Sequence, residues 1–144
     1  MCEIVGRGLK SQSEWKLEGE ALVTDVPITF LGYVNRETGE IEEEGHPLNG
    51  KNITDKILIF PKGTGSSVAP YVLMELFYRE KGPKAIVNSN LDQQMIPACS
   101  LLKIPYAHSF NDNPCYGINT KDVVKLELKS GIVKLEVLER ARKS

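Results

Sequence analysis

Long apolar runs are missing from this 144-residue sequence: the most hydrophobic stretches, such as Ile57-Leu58-Ile59-Phe60, are a fraction of the ~20 residues a membrane helix needs. The opening residues also lack the charged-then-apolar layout of a signal peptide, so a cytosolic location is expected, with no membrane partner. Neither sign of charge dominates. Eighteen Lys plus Arg against nineteen Asp plus Glu leave a net charge of -1, which provides no basic surface for the phosphates of DNA or RNA. Cysteine is scarce and unpaired in pattern. Cys2, Cys99 and Cys115 are odd in number and contain no CxxC spacing, so neither a disulfide framework nor a self-contained zinc or iron–sulfur site is readable. Packed, reduced thiols are expected. His46 and His108 stand far apart, each without a neighbouring metal ligand, and read as surface or hydrogen-bonded histidines.

What is present suffices for one core. Hydrophobic residues at 41% and charged residues at 26% are globular values, and the length fits one domain spanning residues 1–144. The chain opens as strands at residues 2–9 and 15–26, where Leu17, Gly19, Ala21 and Val23 alternate with polar residues. Pro27 interrupts. Residues 28–34 form a short apolar segment leading into the turn composition Asn35-Arg36-Glu37-Thr38-Gly39, then the solvated acidic run 40–44 and a turn at His46-Pro47-Leu48-Asn49-Gly50.

From Lys56 the character changes. Ile57-Leu58-Ile59-Phe60 is the continuous apolar run of a strand buried on both faces. After Pro61-Lys62-Gly63-Thr64-Gly65-Ser66-Ser67, the residues Val68, Tyr71, Val72, Leu73, Leu76 and Phe77 recur with helical spacing until Gly82-Pro83. Ala85-Ile86-Val87 is the next buried strand, completing a βαβ unit over residues 56–88. A second helix is expected over 91–103, kinked or split by Pro97, and a third short strand over 104–107. The tail alternates again on both sides of Ser130-Gly131, a hairpin. The fold class is therefore α/β, a βαβ core with an additional β layer or barrel-like closure in which both chain ends meet.

The segment suited to chemistry is Gly63-Thr64-Gly65-Ser66-Ser67, between strand and helix. Its glycines permit a tight turn, and the helix start that follows concentrates unpaired N–H donors and the positive end of a dipole, favourable to an anion. Ser66 and Ser67 add hydroxyls that can cap the helix, bind a carboxylate or phosphate, or act as a base once deprotonated. Lys62 is the only cation in the loop. The pattern is neither a Walker loop nor the Gly-x-Ser-x-Gly elbow of hydrolases, and a plain helix cap remains an alternative.

The set Gly19-Glu20-Ala21-Leu22-Val23, Pro27-Ile28-Thr29-Phe30-Leu31-Gly32, Thr38-Gly39-Glu40-Ile41, His46-Pro47-Leu48-Asn49-Gly50, Lys56-Ile57-Leu58-Ile59-Phe60-Pro61 and Gly63-Thr64-Gly65-Ser66-Ser67 resembles, in order and spacing, the small subunit of the aconitase X family. The match is close through about Ala85 and weaker beyond. Tyr33 replaces a second glycine and Asn35 an aspartate. The resemblance implies a swivelling β/β/α domain that docks, as a heterodimer, on a large subunit carrying an iron–sulfur cluster, with no cofactor or metal held by this chain alone. It implies a hydro-lyase acting on a phosphorylated hydroxy acid: dehydration of (R)-5-phosphomevalonate to trans-anhydromevalonate 5-phosphate, within a mevalonate route to isoprenoids. A hydroxyproline dehydratase subunit is the alternative within the family, and a non-catalytic anion-binding swivel module lies outside that chemistry. By the same resemblance Ser66 is the catalytic base, while Lys62, Gly63, Thr64, Gly65 and Ser67 bind substrate.

Overall fold

The computed structural model describes residues 3–63 and 69–141. Seven strands close into a barrel: β1 (Glu3–Gly8), β2 (Trp15–Val23), β3 (Ile57–Phe60), β4 (Ala85–Asn88), β5 (Tyr106–His108), β6 (Val123–Lys129) and β7 (Ile132–Glu139), ordered β1-β5-β4-β3-β2-β6-β7. Strands β2 to β5 pair in parallel, and the remaining pairs are antiparallel. Both ends of the chain meet as expected, with Ile4 opposite Leu135. Helices α1 (Ala69–Tyr78) and α2 (Met95–Leu102) cross over outside the parallel strands, and a short α3 (Pro114–Gly117) follows β5. No helix among the described residues is long and apolar enough to cross a membrane.

The period of two in β2 to β5 sorts their side chains into two cores, while β1, β6 and β7 feed only the one inside the barrel. Ala21, Ile57, Ile59, Ala85, Val87, Ala107, Val124, Leu126, Val133 and Leu135 fill the barrel. Their neighbours Leu22, Leu58, Phe60, Ile86 and Tyr106 point outward, beneath α1, α2 and the residues between β2 and β3. This is why β3 and β4 are buried along their full length. Small residues let so small a barrel close. At Gly8 a Cβ would lie 2.5 Å from a Leu128 methyl, so any side chain there displaces the packing.

The apolar segment 28–34 contributes Ile28, Phe30 and Val34 to the outer core and makes only the isolated bridges Ile28–Gly63 and Val34–Ile41, outside the barrel strands. One expected element differs at its start. The second helix starts at Met95 rather than 91, because the Asp92 side chain captures the Gln94 N–H in an Asx turn. That places Pro97 in the first turn, where its missing donor costs nothing and no kink is needed. The β6–β7 hairpin turns through Ser130 (φ 52°) and Gly131 (φ 78°), the positive pair that a tight hairpin requires. In α1, Val72, Leu73 and Leu76 pack inward while Tyr71 and Phe77 face solvent.

Candidate active site

Three parallel strands deliver their C-terminal ends to one place. There β3 ends at Phe60, β4 at Asn88 and β5 at His108, and the connections 61–68 and 89–94 leave from the first two. Crevices outside the carboxyl ends of parallel strands are where such sheets bind ligands, because the helices that follow aim their N-termini there. Of the residues expected to act, Lys62 and Gly63 are described; Thr64, Gly65, Ser66 and Ser67 lie outside the described residues. The Lys62 side chain is exposed, and its carbonyl accepts the Ile28 N–H at 3.2 Å.

Gly63 is held from a second direction. Its N–H donates to Asp92 Oδ2 at 2.7 Å, and a Cβ built on it would stand 3.2 Å from that oxygen and 3.5 Å from Met95 Cε. The glycine is required here by close approach. The other carboxylate oxygen, Oδ1, accepts the Gln94 N–H at 2.9 Å. Behind Asp92 lies a fully buried polar pair: Tyr106 Oη donates to Asn88 Oδ1 at 2.6 Å and accepts the Asp92 N–H at 3.2 Å, while Asn88 Nδ2 donates to the Phe60 carbonyl at 3.1 Å. Burial pushes the Tyr106 hydroxyl well above its ordinary pKa, so it serves as a neutral donor.

Sequence reasoning did not single out Asp92, Asn88 or Tyr106. One local signal was available: Asn88 is a polar residue continuing the apolar run Ala85-Ile86-Val87, and a buried amide must find partners. Its partners are 28 and 18 positions away. The region after β4 also gathers at this end of the sheet through Ser89 Oγ, which donates to Asn113 Oδ1 at 3.1 Å and contacts Cys115 Sγ at 3.3 Å.

The histidines and described cysteines take structural positions. His46 is buried; its Nδ1 accepts the Leu48 N–H at 3.0 Å, which leaves Nε2 to donate to the Pro27 carbonyl at 3.1 Å. This bond fixes the turn after the acidic run to the chain that carries Ile28. Asn35 keeps the turn chemistry of an aspartate, its Oδ1 accepting the N–H groups of Glu37 and Thr38. Cys99 and Cys115 are free and buried, as expected, and Cys2 lies outside the described residues. Burial, reinforced by the Asp92 charge, pushes the Cys99 thiol up to about 12, and burial also raises Cys115. The two thiols lie in different cores, Cys99 in the outer one and Cys115 in that of the barrel. Among the described residues no group of three or more His, Cys, Asp or Glu is placed to hold a metal ion.

Comparison with known proteins agrees with this geometry. A family model described as the aconitase X swivel domain matches residues 7–135. The phosphomevalonate dehydratase small subunit of Methanosarcina acetivorans is 36% identical over 118 residues, 82% of each chain. The protein of the same name from Archaeoglobus fulgidus is 33% identical over 134 residues, 93% of this chain and 96% of its own. The crystal structure of Thermococcus kodakaraensis aconitase X in its holo form superposes with a TM-score of 0.82 at 30% identity, covering 94% of this chain and 99% of that one. Sequence and barrel topology thus lead to one assignment: the chain belongs to the aconitase X swivel domain family.

Proposed function

We propose that this chain, as one swivel domain over residues 1–144, is the small subunit of a hydro-lyase that dehydrates (R)-5-phosphomevalonate to trans-anhydromevalonate 5-phosphate. The observation that carries the reading is the 36% identity, over 82% of both chains, to a protein named phosphomevalonate dehydratase small subunit. The partner is a large subunit, which in this reading also carries the iron–sulfur cluster, Cys99 and Cys115 lying in different cores of this chain. Free, buried thiols are also in keeping with a cytosolic location.

The reaction sets the requirements. A C–H bond next to the substrate carboxylate breaks and its proton passes to a base; the C–O bond of the β-hydroxyl breaks; the carbons form a double bond and the elements of water leave. Ser66 is the proposed base. A serine hydroxyl is far too weakly acidic to ionise unaided, so the start of α1, the Lys62 ammonium and groups of the large subunit must stabilise its alkoxide. Ser67 and the backbone of Thr64 and Gly65 bind the substrate's anionic groups; the Gly63 N–H, expected to do so as well, is already taken by Asp92 Oδ2 at 2.7 Å and holds the start of the loop instead. The site needs a dry enclosure, which the large subunit supplies by closing over the loop.

Co-expression with the large subunit and assay of dehydration tests the reading. The pair should turn over phosphomevalonate, and this chain by itself should be inactive. Ser66→Ala should abolish turnover while folding and subunit association persist, since a cap serine contributes only ~1 kcal/mol to stability. Ser67→Ala should raise KM more than it lowers kcat. Near-normal turnover by Ser66→Ala removes that residue from the base role, and activity of the pair on hydroxyproline instead reassigns the substrate.

A further inference from the structure

We propose that Asp92 is a positioning residue that sets the start of the serine loop, acting through a closed ring of hydrogen bonds with Asn88 and Tyr106. This rests on the reading of Ser66 as base. The ring begins and ends on the same short stretch of chain. From the Phe60 carbonyl it runs to Asn88 Nδ2, from Asn88 Oδ1 to Tyr106 Oη, from Tyr106 Oη to the Asp92 N–H, and from Asp92 Oδ2 to the Gly63 N–H, at 3.1, 2.6, 3.2 and 2.7 Å in turn. Phe60 is the last residue of β3 and Gly63 stands three positions on, so both ends of the strand exit are tied to one polar unit.

Asn88 and Tyr106 are fully buried and Asp92 nearly so, where a broken bond leaves a desolvated group unpaired. The exit is held on its other side by Ile28, whose N–H donates to the Lys62 carbonyl. Ser66 is three residues beyond Gly63, within a chain reach of about 11 Å. An error in where Gly63 sits is therefore carried into the position of the base.

The two oxygens of Asp92 do different work, which separates positioning from mere helix capping. Oδ1 takes the Gln94 N–H and forms the Asx turn before α2; Oδ2 takes Gly63. Asparagine supports an Asx turn as well as aspartate does, but has one acceptor oxygen. With its carbonyl on Gln94, the amide of Asp92→Asn presents a donor to the Gly63 donor and the ring opens.

The test uses Asp92→Asn and Tyr106→Phe in the heterodimer, together with amide exchange at Gly63 by NMR on the full chain alone. The expected result for Asp92→Asn is a kcat lower by about 100-fold, with KM within about threefold and subunit affinity unchanged, and a melting temperature lowered by about a few degrees, too little to unfold the chain at the assay temperature. Gly63 N–H exchange should accelerate in the same variant. Tyr106→Phe keeps the carboxylate but opens the ring elsewhere, and should lower kcat by about tenfold with KM again held. Wild-type kcat in both variants overturns the proposal, as does a loss of kcat that only tracks the unfolded fraction at the assay temperature. Unchanged Gly63 exchange in Asp92→Asn overturns it too. A wild-type pair that does not dehydrate phosphomevalonate overturns the dehydratase reading instead, and the exchange measurement still decides the ring.

Discussion

Arg140 Nη1 donates to Asp122 Oδ2 at 3.0 Å, joining an arginine that is half exposed to a carboxylate that is completely buried. The same carboxylate accepts the backbone N–H of Asn119 at 2.9 Å and of Ala141 at 2.7 Å, so it secures the entry to β6 and the chain after β7 together. The asymmetry in burial predicts an asymmetry in cost. Asp122→Ala removes the buried acceptor shared by three donors and should destabilise the chain by about 2–4 kcal/mol. Arg140→Ala removes a solvent-screened partner and should cost about 1 kcal/mol or less. Urea denaturation of the two variants checks this, and equal losses would contradict it.

The large subunit should dock over the exit of β3. Leu91 immediately precedes Asp92, Tyr71 lies in the first turn of α1, and both side chains are exposed, at 45% and 67%. Leu91→Glu and Tyr71→Glu should each weaken the heterodimer by about tenfold or more, since buried aromatic and aliphatic anchors carry most interface energy. Ile132→Glu, at the β6–β7 turn on the opposite end of the barrel, should leave affinity unchanged. Calorimetric titration of the two subunits distinguishes the ends; equal weakening by all three variants would place the interface elsewhere.

His108 makes stability depend on pH in a defined direction. Desolvation, then the Arg7 charge opposite it in the β1–β5 pair, lowers its pKa below the ordinary 6.5. Unfolding therefore takes up a proton once the pH is below that ordinary value. Stability contributed by the neutral ring is present above pH 6.5 and is lost as the pH falls toward the native pKa. Between pH 7.5 and 5.5 the melting temperature should fall further for the wild type than for His108→Gln, on the same buffers. Parallel curves would remove His108 as the cause.

Cys99 should be chemically silent in the native protein. With its thiol pushed up to about 12, thiolate at pH 8 amounts to about one molecule in ten thousand, and the side chain is fully buried. Iodoacetamide followed by mass mapping should label Cys99 only after guanidinium is added. Labelling at the rate of a free thiol in native buffer would show that α2 opens readily.

Much of the architecture could be read one segment at a time. The four apolar residues of β3, the body of α1, β4, and the two alternating strands around Ser130-Gly131 are each specified by neighbours along the chain, through period and turn chemistry, whereas α1 ends at Tyr78 with Glu80 at φ 60°, short of the expected stop at Gly82-Pro83. The two glycines and two serines at 63–67 are likewise a local pattern, of which Thr64 to Ser67 lie outside the described residues. Residues 28–34, read only as an apolar segment, serve the outer core without joining the barrel. The helix at 91–103 began late because one side chain, Asp92, competed for its first amides.

What the amino-acid sequence determined by itself was therefore most of the elements, α3 excepted, the apolar runs that bury β3 and β4 on both faces, and the alternation that gives β6 and β7 one buried face each. Tertiary structure alone decided that β5 pairs with β1 to close the barrel, and that Asn88, Asp92 and Tyr106 converge on Gly63. The reason is physical: strand order and buried polar bonds depend on contacts between residues 14 to 101 positions apart, here Asp92 with Tyr106 and Arg7 with His108. Local propensity does not encode which distant donor meets which acceptor. That choice is made only when the packed core removes water and leaves each buried group one partner to find.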